Sequence, residues 1–275
     1  MSERILLIGG NFSPEPTGIG KYNGEMIEWL SKKGYTCTVV TTYPYYPQWK
    51  LQPPFKSHIW YKKETRTVKT HQDKENQITI FRCPHYIPGS LSGKTRVLHD
   101  LSFFMAAFFK VFFLLFSKKY DVVINVSPPL IPGLLAILYK KVRGAKFIYH
   151  IQDLQVDAAN DLEMIRSKSL IRFLFGLEKL ILKQADVISS ISPGMIKKIK
   201  AKVNKPVVFF PNWSDTNIFY PLHDKPILKQ EFGFKQDDVI ILYSGAIGEK
   251  QGLESILYAA GDLAKISGLK FVICG

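Results

Sequence analysis

The sequence predicts an α/β fold built on a doubly wound parallel sheet. Three observations carry that prediction. Residues 5–41 read strand, glycine loop, helix, strand. Short apolar runs then alternate with helical patterns as far as Phe210. A second strand, glycine loop, helix and strand open at Val239. This alternation is what helices crossing over a parallel sheet produce.

Arg4-Ile-Leu-Leu-Ile8 is a continuous apolar run, long enough for a buried strand and too short for a helix. The loop after it, Gly9-Gly-Asn-Phe-Ser-Pro-Glu-Pro-Thr-Gly-Ile-Gly20, is rich in Gly and Pro. From Gly18, Ile19, Tyr22, Met26, Ile27 and Leu30 recur at helical spacing, and Gly34 stops the helix after Lys32 and Lys33. A helix start offers free N–H groups and a positive dipole end, and Gly18 and Gly20 let an anion approach the backbone. Alternatively, these glycines only make turns. The spacing departs from G-x-G-x-x-G, which disfavours a nicotinamide dehydrogenase.

A second strand ends near Thr41. The following loop carries Tyr43, Tyr45, Tyr46 and Trp49 at the edge where open parallel sheets bind ligands. Those rings can line an acceptor cleft, or they can fold on one another. Residues 56–74 are polar and basic, and read as an exposed, partly mobile excursion. A strand of alternating pattern follows over 77–82.

Residues 101–116 contain seven Phe. As a helix they span about 24 Å, short of a bilayer core of roughly 30 Å, and Lys110 interrupts them. They are apolar on nearly all sides. Either the helix is buried, or it shows Phe to a membrane, with Lys94, Arg96, Lys118 and Lys119 meeting anionic headgroups. Strands are then expected over 120–125, 145–150, 186–190 and 206–210, with helices over 134–142, 170–183 and 193–202. Ser192 caps the last helix and Pro193 opens it. That makes about seven strands. His150 closes one of them at its carboxyl edge, and Asp153 follows three residues on. Position at that edge favours a functional His and Asp over a packed strand end and a cap.

Residues 211–221 form a turn-rich linker, so the expected domains are 1–221 and 222–275. The second has a strand over 239–244, a glycine loop over 245–252, a helix over 253–266 and a strand over 269–274. A lone β-α-β unit cannot cover both faces of its sheet, which predicts a piece of a longer protein whose apolar face seeks cover, including by self-association.

The 275-residue chain carries a net charge of +14. That favours anionic partners such as a lipid surface or phosphorylated substrates. No basic tract, zinc spacing or RNA-binding aromatic motif is present, which argues against nucleic acid. Cys37, Cys83 and Cys274 are isolated and read as reduced thiols of a cytosolic protein without a signal peptide. No metal-ligand set is visible.

Five motifs, in order, resemble glycosyltransferase family 4 of the GT-B class, in its exopolysaccharide (colanic-acid type) branch. They are Phe12-Ser-Pro-Glu-Pro-Thr-Gly-Ile-Gly20 with Tyr22; His150-Ile-Gln-Asp-Leu154 with Asp157-Ala158; Ile191-Ser-Pro-Gly-Met195; Pro211-Asn-Trp-Ser-Asp-Thr-Asn-Ile-Phe219 with Pro221; and Tyr243-Ser-Gly-Ala-Ile-Gly-Glu-Lys-Gln-Gly252. The resemblance implies two Rossmann-like domains, the first complete and the second only begun. It implies a retaining transfer from a nucleotide-sugar, UDP- or GDP-linked, to a glycan or lipid-linked acceptor at the cytoplasmic face of an anionic membrane, with no further cofactor. His150 and Asp153 would be catalytic. Gly18, Ile19, Gly20, Lys21, Gly245 and Lys250 would face the donor phosphates. Tyr43, Tyr45 and Tyr46 would face the acceptor, and Asn212 would fix the hinge. The family's Arg and Lys of the second loop are Ala246 and Gln251 here, which leaves Lys250 as the candidate cation. Its two glutamates, eight residues apart, would follow Gly275. A GT-B-fold sugar-nucleotide epimerase and a non-catalytic membrane-surface module are the alternatives.

Overall fold

The computed structural model describes residues 3–15, 18–90, 92–161, 165, 167–222, 225–245, 247–248 and 251–275. The chain divides into two compact units, Met1–Trp213 and Ser214–Gly275.

The first unit holds β1 (Arg4–Gly9), β2 (Thr36–Thr42), β3 (Lys62–Lys69), β4 (Glu75–Cys83), β5 (Val122–Ser127), β6 (Lys146–Ile151), β7 (Val187–Ser190) and β8 (Val207–Phe209). They form one sheet in the order β3-β4-β2-β1-β5-β6-β7-β8. All pairs are parallel except β3 with β4. The helices are α1 (Gly18–Lys32), α2 (Gly93–Leu114), α3 (Gly133–Arg143), α4 (Gln155–Asp161), α5 (Lys168–Gln184) and α6 (Pro193–Lys202). β1 shows why its sequence is continuously apolar. Leu6 and Ile8 join a core with residues of α2, α3 and α5, whereas Ile5 and Leu7 join a second core with Ile27 of α1. A strand covered on both faces has no polar side to show.

Local chemistry sets the helix ends. Gly34 (φ +96) and Gly144 (φ +65) take left-handed conformations after α1 and at the end of α3. Ser92 accepts from Thr95 N at the start of α2, and Ser192 accepts from Met195 N ahead of Pro193. Cys37 and Cys83 are free and buried, and burial pushes both thiols up to about 12, so they are unreactive.

Three expectations change. The basic excursion 56–74 contains β3, an antiparallel edge strand that raises the sheet to eight strands. Its inward positions are Glu64, Arg66 and Val68, so composition hides the alternation; lysines on the outward side protect the edge. α4 was not expected at all. The Phe-rich helix starts at Gly93, and its 22 residues are long and apolar enough to cross a membrane. Its inner face is nonetheless packed in the core through Phe103, Ala107 and Val111. Lys110 does not interrupt the outer face: its Nζ turns in, 4.0 Å from the Phe81 ring centre. Leu101, Met105, Phe109, Phe112, Phe113 and Phe116 are left as an exposed stripe.

The second unit holds α7 (Lys225–Glu231), β9 (Val239–Ser244), α8 (Glu254–Asp262) and β10 (Leu269–Cys274). β9 and β10 pair in parallel from Val239↔Leu269 to Ser244↔Cys274.

Candidate active site at the carboxyl edge of the sheet

From β1 the chain builds outward through β2, then crosses back to β5 on the other side of β1. The carboxyl ends of β1 and β5 therefore flank the topological switch point, the place where open α/β sheets bind ligands. The lips meet there: a Cβ on Gly10 would stand 2.8 Å from Pro129. The loop after β1 is held tightly. Gly10 O accepts from the hydroxyls of Thr41 and Thr42. Arg66 Nη1 donates to Ser13 Oγ (2.6 Å) and Arg82 Nη2 to Ser13 O (2.6 Å). Arg82 is fully buried, 3.6 Å from Glu64, and burial pulls its guanidinium down to about 10, so it stays charged at neutral pH.

The glycines of this loop serve different ends. Gly18 (φ +58) supplies a left-handed turn at the start of α1, with the Tyr46 ring 3.9 Å from its Cβ position. Gly20 is not left open for an anion: its Cβ position is 2.7 Å from Glu15 Oε2, so a side chain of this protein fills the space. Gly24 lets α1 approach the loop, since a Cβ there would meet Ser13 Cβ at 2.6 Å. Ile19 packs against the core beneath α1. Lys21 is drawn to Glu25 (3.6 Å) and the Tyr22 ring rather than standing free for a phosphate.

His150 ends up buried near the end of β6. Its Nδ1 is 2.9 Å from Ser189 Oγ on the neighbouring strand β7. Burial pulls its pKa down to about 4, with the Ser189 bond opposing, so the ring is neutral at pH 7. A line of aromatic rings joins it to α1. Phe210 packs on His150 (5.4 Å), Trp213 on Phe210 (5.9 Å), and Tyr22 on Trp213 (5.1 Å). Trp213 Nε1 also donates to Glu25 Oε2. Asp153 lies in the wall of a cavity of about 270 Å³ with Asp157, Asp161 and Lys198.

The three tyrosines separate. Tyr43 and Tyr45 are buried, so they do not line an open cleft. Tyr43 Oη donates to Trp60 O, and the Tyr45 ring packs at a tilt against Trp49 and His99. Tyr46 alone is exposed, beside Gly18. Asn212 is exposed and makes no hydrogen bond among the described residues; Trp213 is the member of that motif which is anchored. In the second unit, Gly252 (φ +59) turns the loop into α8 and Gly245 N donates to Cys274 O (2.9 Å). Lys250 lies outside the described residues. Among the described residues no group of three or more His, Cys, Asp or Glu could hold a metal ion.

The family model described as a glycosyl transferase 4-like domain matches residues 17–213. The chain belongs to that family. This glycosyl transferase 4-like chain is 38% identical over 284 residues to a protein of Escherichia coli (strain K12) named as the colanic acid biosynthesis glycosyl transferase WcaI. The match covers 99% of this chain and 65% of that protein, so the chain spans about two thirds of its relative's length. Among solved structures, sucrose-phosphate synthase from Thermosynechococcus elongatus superposes with a TM-score of 0.67 at 16% identity, covering 98% of this chain and 62% of that one. The catalytic domain of starch synthase IV from Arabidopsis thaliana gives 0.61 at 13% identity, covering 100% and 69%. At such identities the likeness speaks to the fold alone, the mostly parallel α/β architecture of GT-B glycosyltransferases.

Sequence reasoning passed over Glu15, Ser189, Phe210 and Trp213. A signal was present for three of them: Glu15 and Trp213 stand inside motifs already singled out, and Phe210 stands next to one. The glycine packing is directly testable in this glycosyl transferase 4-like chain. Gly24→Ala is expected to lose about 2 kcal/mol, lowering Tm by about 4–8 °C, because Ser13 must move. Gly176→Ala, in α5 with nothing within 4 Å, is expected to raise stability by up to about 1 kcal/mol. Calorimetric melting compares the two; equal shifts would contradict the packing described.

Proposed function

We propose that this chain is the acceptor-side domain, with the start of the donor-side domain, of a retaining glycosyltransferase in cell-surface polysaccharide synthesis. It moves a sugar from a nucleotide-diphosphate donor, UDP- or GDP-linked, to a glycan or lipid-linked acceptor. Family membership and the WcaI relative support the class of reaction. The single observation that carries the site is the neutral, buried His150 joined through Phe210 and Trp213 to the helix α1 that opens at the switch point. A neutral imidazole held by Ser189 can hydrogen-bond a sugar hydroxyl and the charge developing beside it. The first turn of α1 supplies backbone N–H groups and the dipole for the donor phosphates. Calorimetric binding of UDP- and GDP-sugars to the full-length protein tests the reading. Saturable binding of one donor is expected, and no binding of any would sink it.

We further propose that the protein works at the cytoplasmic face of the membrane, lying on it through α2. The outer stripe of α2 and the turn after it carry Phe113 and Phe116 at 66% and 76% exposure. Ile59 and Trp60 add exposed apolar surface at the start of β3, where Tyr61 Oη donates to Ala106 O of α2. Lys94 and Arg96 stand at one end of the helix and Lys118 and Lys119 just past the other, so charge complements an anionic surface. Because the inner face of α2 is packed on the sheet, the helix lies on a bilayer rather than crossing it. Replacing Phe112, Phe113 and Phe116 together by Ser is expected to weaken binding of the full-length protein to phosphatidylglycerol-containing vesicles by about 100-fold. Vesicle sedimentation measures this; a wild type that stays in the supernatant would remove the membrane from the reading.

A further inference from the structure

Glu15 is a buried acid to which neither the fold nor the proposed transfer has yet given a part. Its Oε1 accepts from Tyr45 N (3.0 Å) and Tyr46 N (2.9 Å), and its Oε2 accepts from Asn11 Nδ2 (2.9 Å). Asn11 O in turn accepts from Asn23 Nδ2 (2.9 Å) on α1. The side chain also fills the space over Gly20. One carboxylate thus touches the loop after β1, the first turn of α1 and the loop after β2. The loop after β2 is thirty positions from Glu15, and the joined segments carry Gly18 and Tyr46, whose ring stands 3.9 Å from the Gly18 Cβ position.

We propose that Glu15 is a positioning residue, which locks the first turn of α1 and the Tyr45–Tyr46 segment into one body so that the glycine turn is presented to the donor diphosphate in fixed geometry. The inference rests on the glycosyltransferase reading above. A carboxylate accepting two successive backbone N–H groups forms bonds roughly twice as strong as neutral ones. Burial raises its pKa, while the Tyr45 and Tyr46 amides, Asn11 and the nearby Arg82 charge favour the ionised form. Neutral partners on three sides make it a clamp rather than an ion pair. Its oxygens are turned to Asn11, Tyr45 and Tyr46, so it does not act on substrate itself.

The test uses the full-length protein with two readouts: hydrogen exchange at the Tyr45 and Tyr46 amides, and calorimetric binding of UDP and GDP as probes. Glu15→Ala is expected to speed exchange of both amides at least tenfold. It is also expected to weaken tenfold or more whichever diphosphate the wild type binds, at a temperature where circular dichroism shows an intact fold. Glu15→Gln keeps an acceptor oxygen for both amides, and is expected to restore protection and binding to within threefold. If Glu15→Ala leaves the amides protected, or frees them without weakening the diphosphate, the clamp is wrong. If Glu15→Gln is as impaired as Glu15→Ala, holding geometry is not its task. A wild type that binds neither diphosphate overturns the transferase reading instead, and the amide exchange alone then decides whether the clamp exists.

Discussion

Replacing His150 by Ala is expected to lower kcat of the full-length protein at least 100-fold while donor affinity stays near that of the wild type. The expectation follows from where the ring is held. It is buried, uncharged and fixed by Ser189 Oγ at 2.9 Å, so its orientation needs no rearrangement as charge develops on the substrate. Losing one such preorganised partner typically costs about 10²–10³ in rate. Ser189→Ala leaves the ring in place but frees it to rotate, and an intermediate loss of roughly tenfold is expected. Because the His150 pKa sits at about 4, the rate should show no inflection between pH 6 and 8 arising from this group. Steady-state kinetics decides: a His150→Ala enzyme with more than half the wild-type kcat would remove it from the chemistry.

The second large effect is on stability in acid. His85 is buried among Tyr45, His58 and His99, and its pKa is drawn down to about 3, chiefly by burial. Its Nδ1 lies 3.3 Å from Cys83 O, and its Nε2 is buried without a hydrogen-bond partner among the described residues. The sign follows from the two states. In the unfolded chain His85 takes a proton near pH 6.5, whereas in the folded chain it resists until about 3. The folded state therefore loses stability progressively as pH falls below 6.5. From those two values the loss attributable to His85 at pH 4.5 is roughly 2–3 kcal/mol. His99 is shifted the same way. Asp100 works against it: burial raises its pKa to about 6, so acid relieves a penalty that it imposes at neutral pH. The clean measurement is therefore a difference. His85→Phe should lose roughly 2–3 kcal/mol less than the wild type between pH 7 and 4.5 in urea unfolding. Parallel pH profiles for the two proteins would refute the assignment.

Much of the fold was readable along the chain. The runs at Arg4–Gly9, Val122–Ser127 and Lys146–Ile151 are apolar because the sheet is covered on both faces, and that demand leaves a mark on every residue of a strand. Glycine and proline punctuation marked Gly34, Gly144 and Pro193 for the same reason: each answers a local backbone requirement. His150 could be placed at a carboxyl edge because strand direction follows from crossover connections. The Phe-rich helix was recognisable, but its exposed stripe was not, since Phe at both inner and outer positions leaves no periodicity to read.

Local pattern, then, was enough for most of the strands and helices, the turn chemistry and the edge that carries the candidate site. Folding decided the rest. β3 pairs with β4, and its inward Glu64 and Arg66 find partners, Arg82 and Ser13, that are distant in sequence. Glu15 and Tyr45, thirty positions apart, meet only when β1 and β2 lie side by side. His85, His99 and Tyr45 acquire a shared interior in the same way. Hydrophobic burial repeats every second residue in a strand and every third or fourth in a helix, and so leaves its trace in the chain. A hydrogen bond between remote residues occurs once, and becomes visible only when the sheet has brought its two ends together.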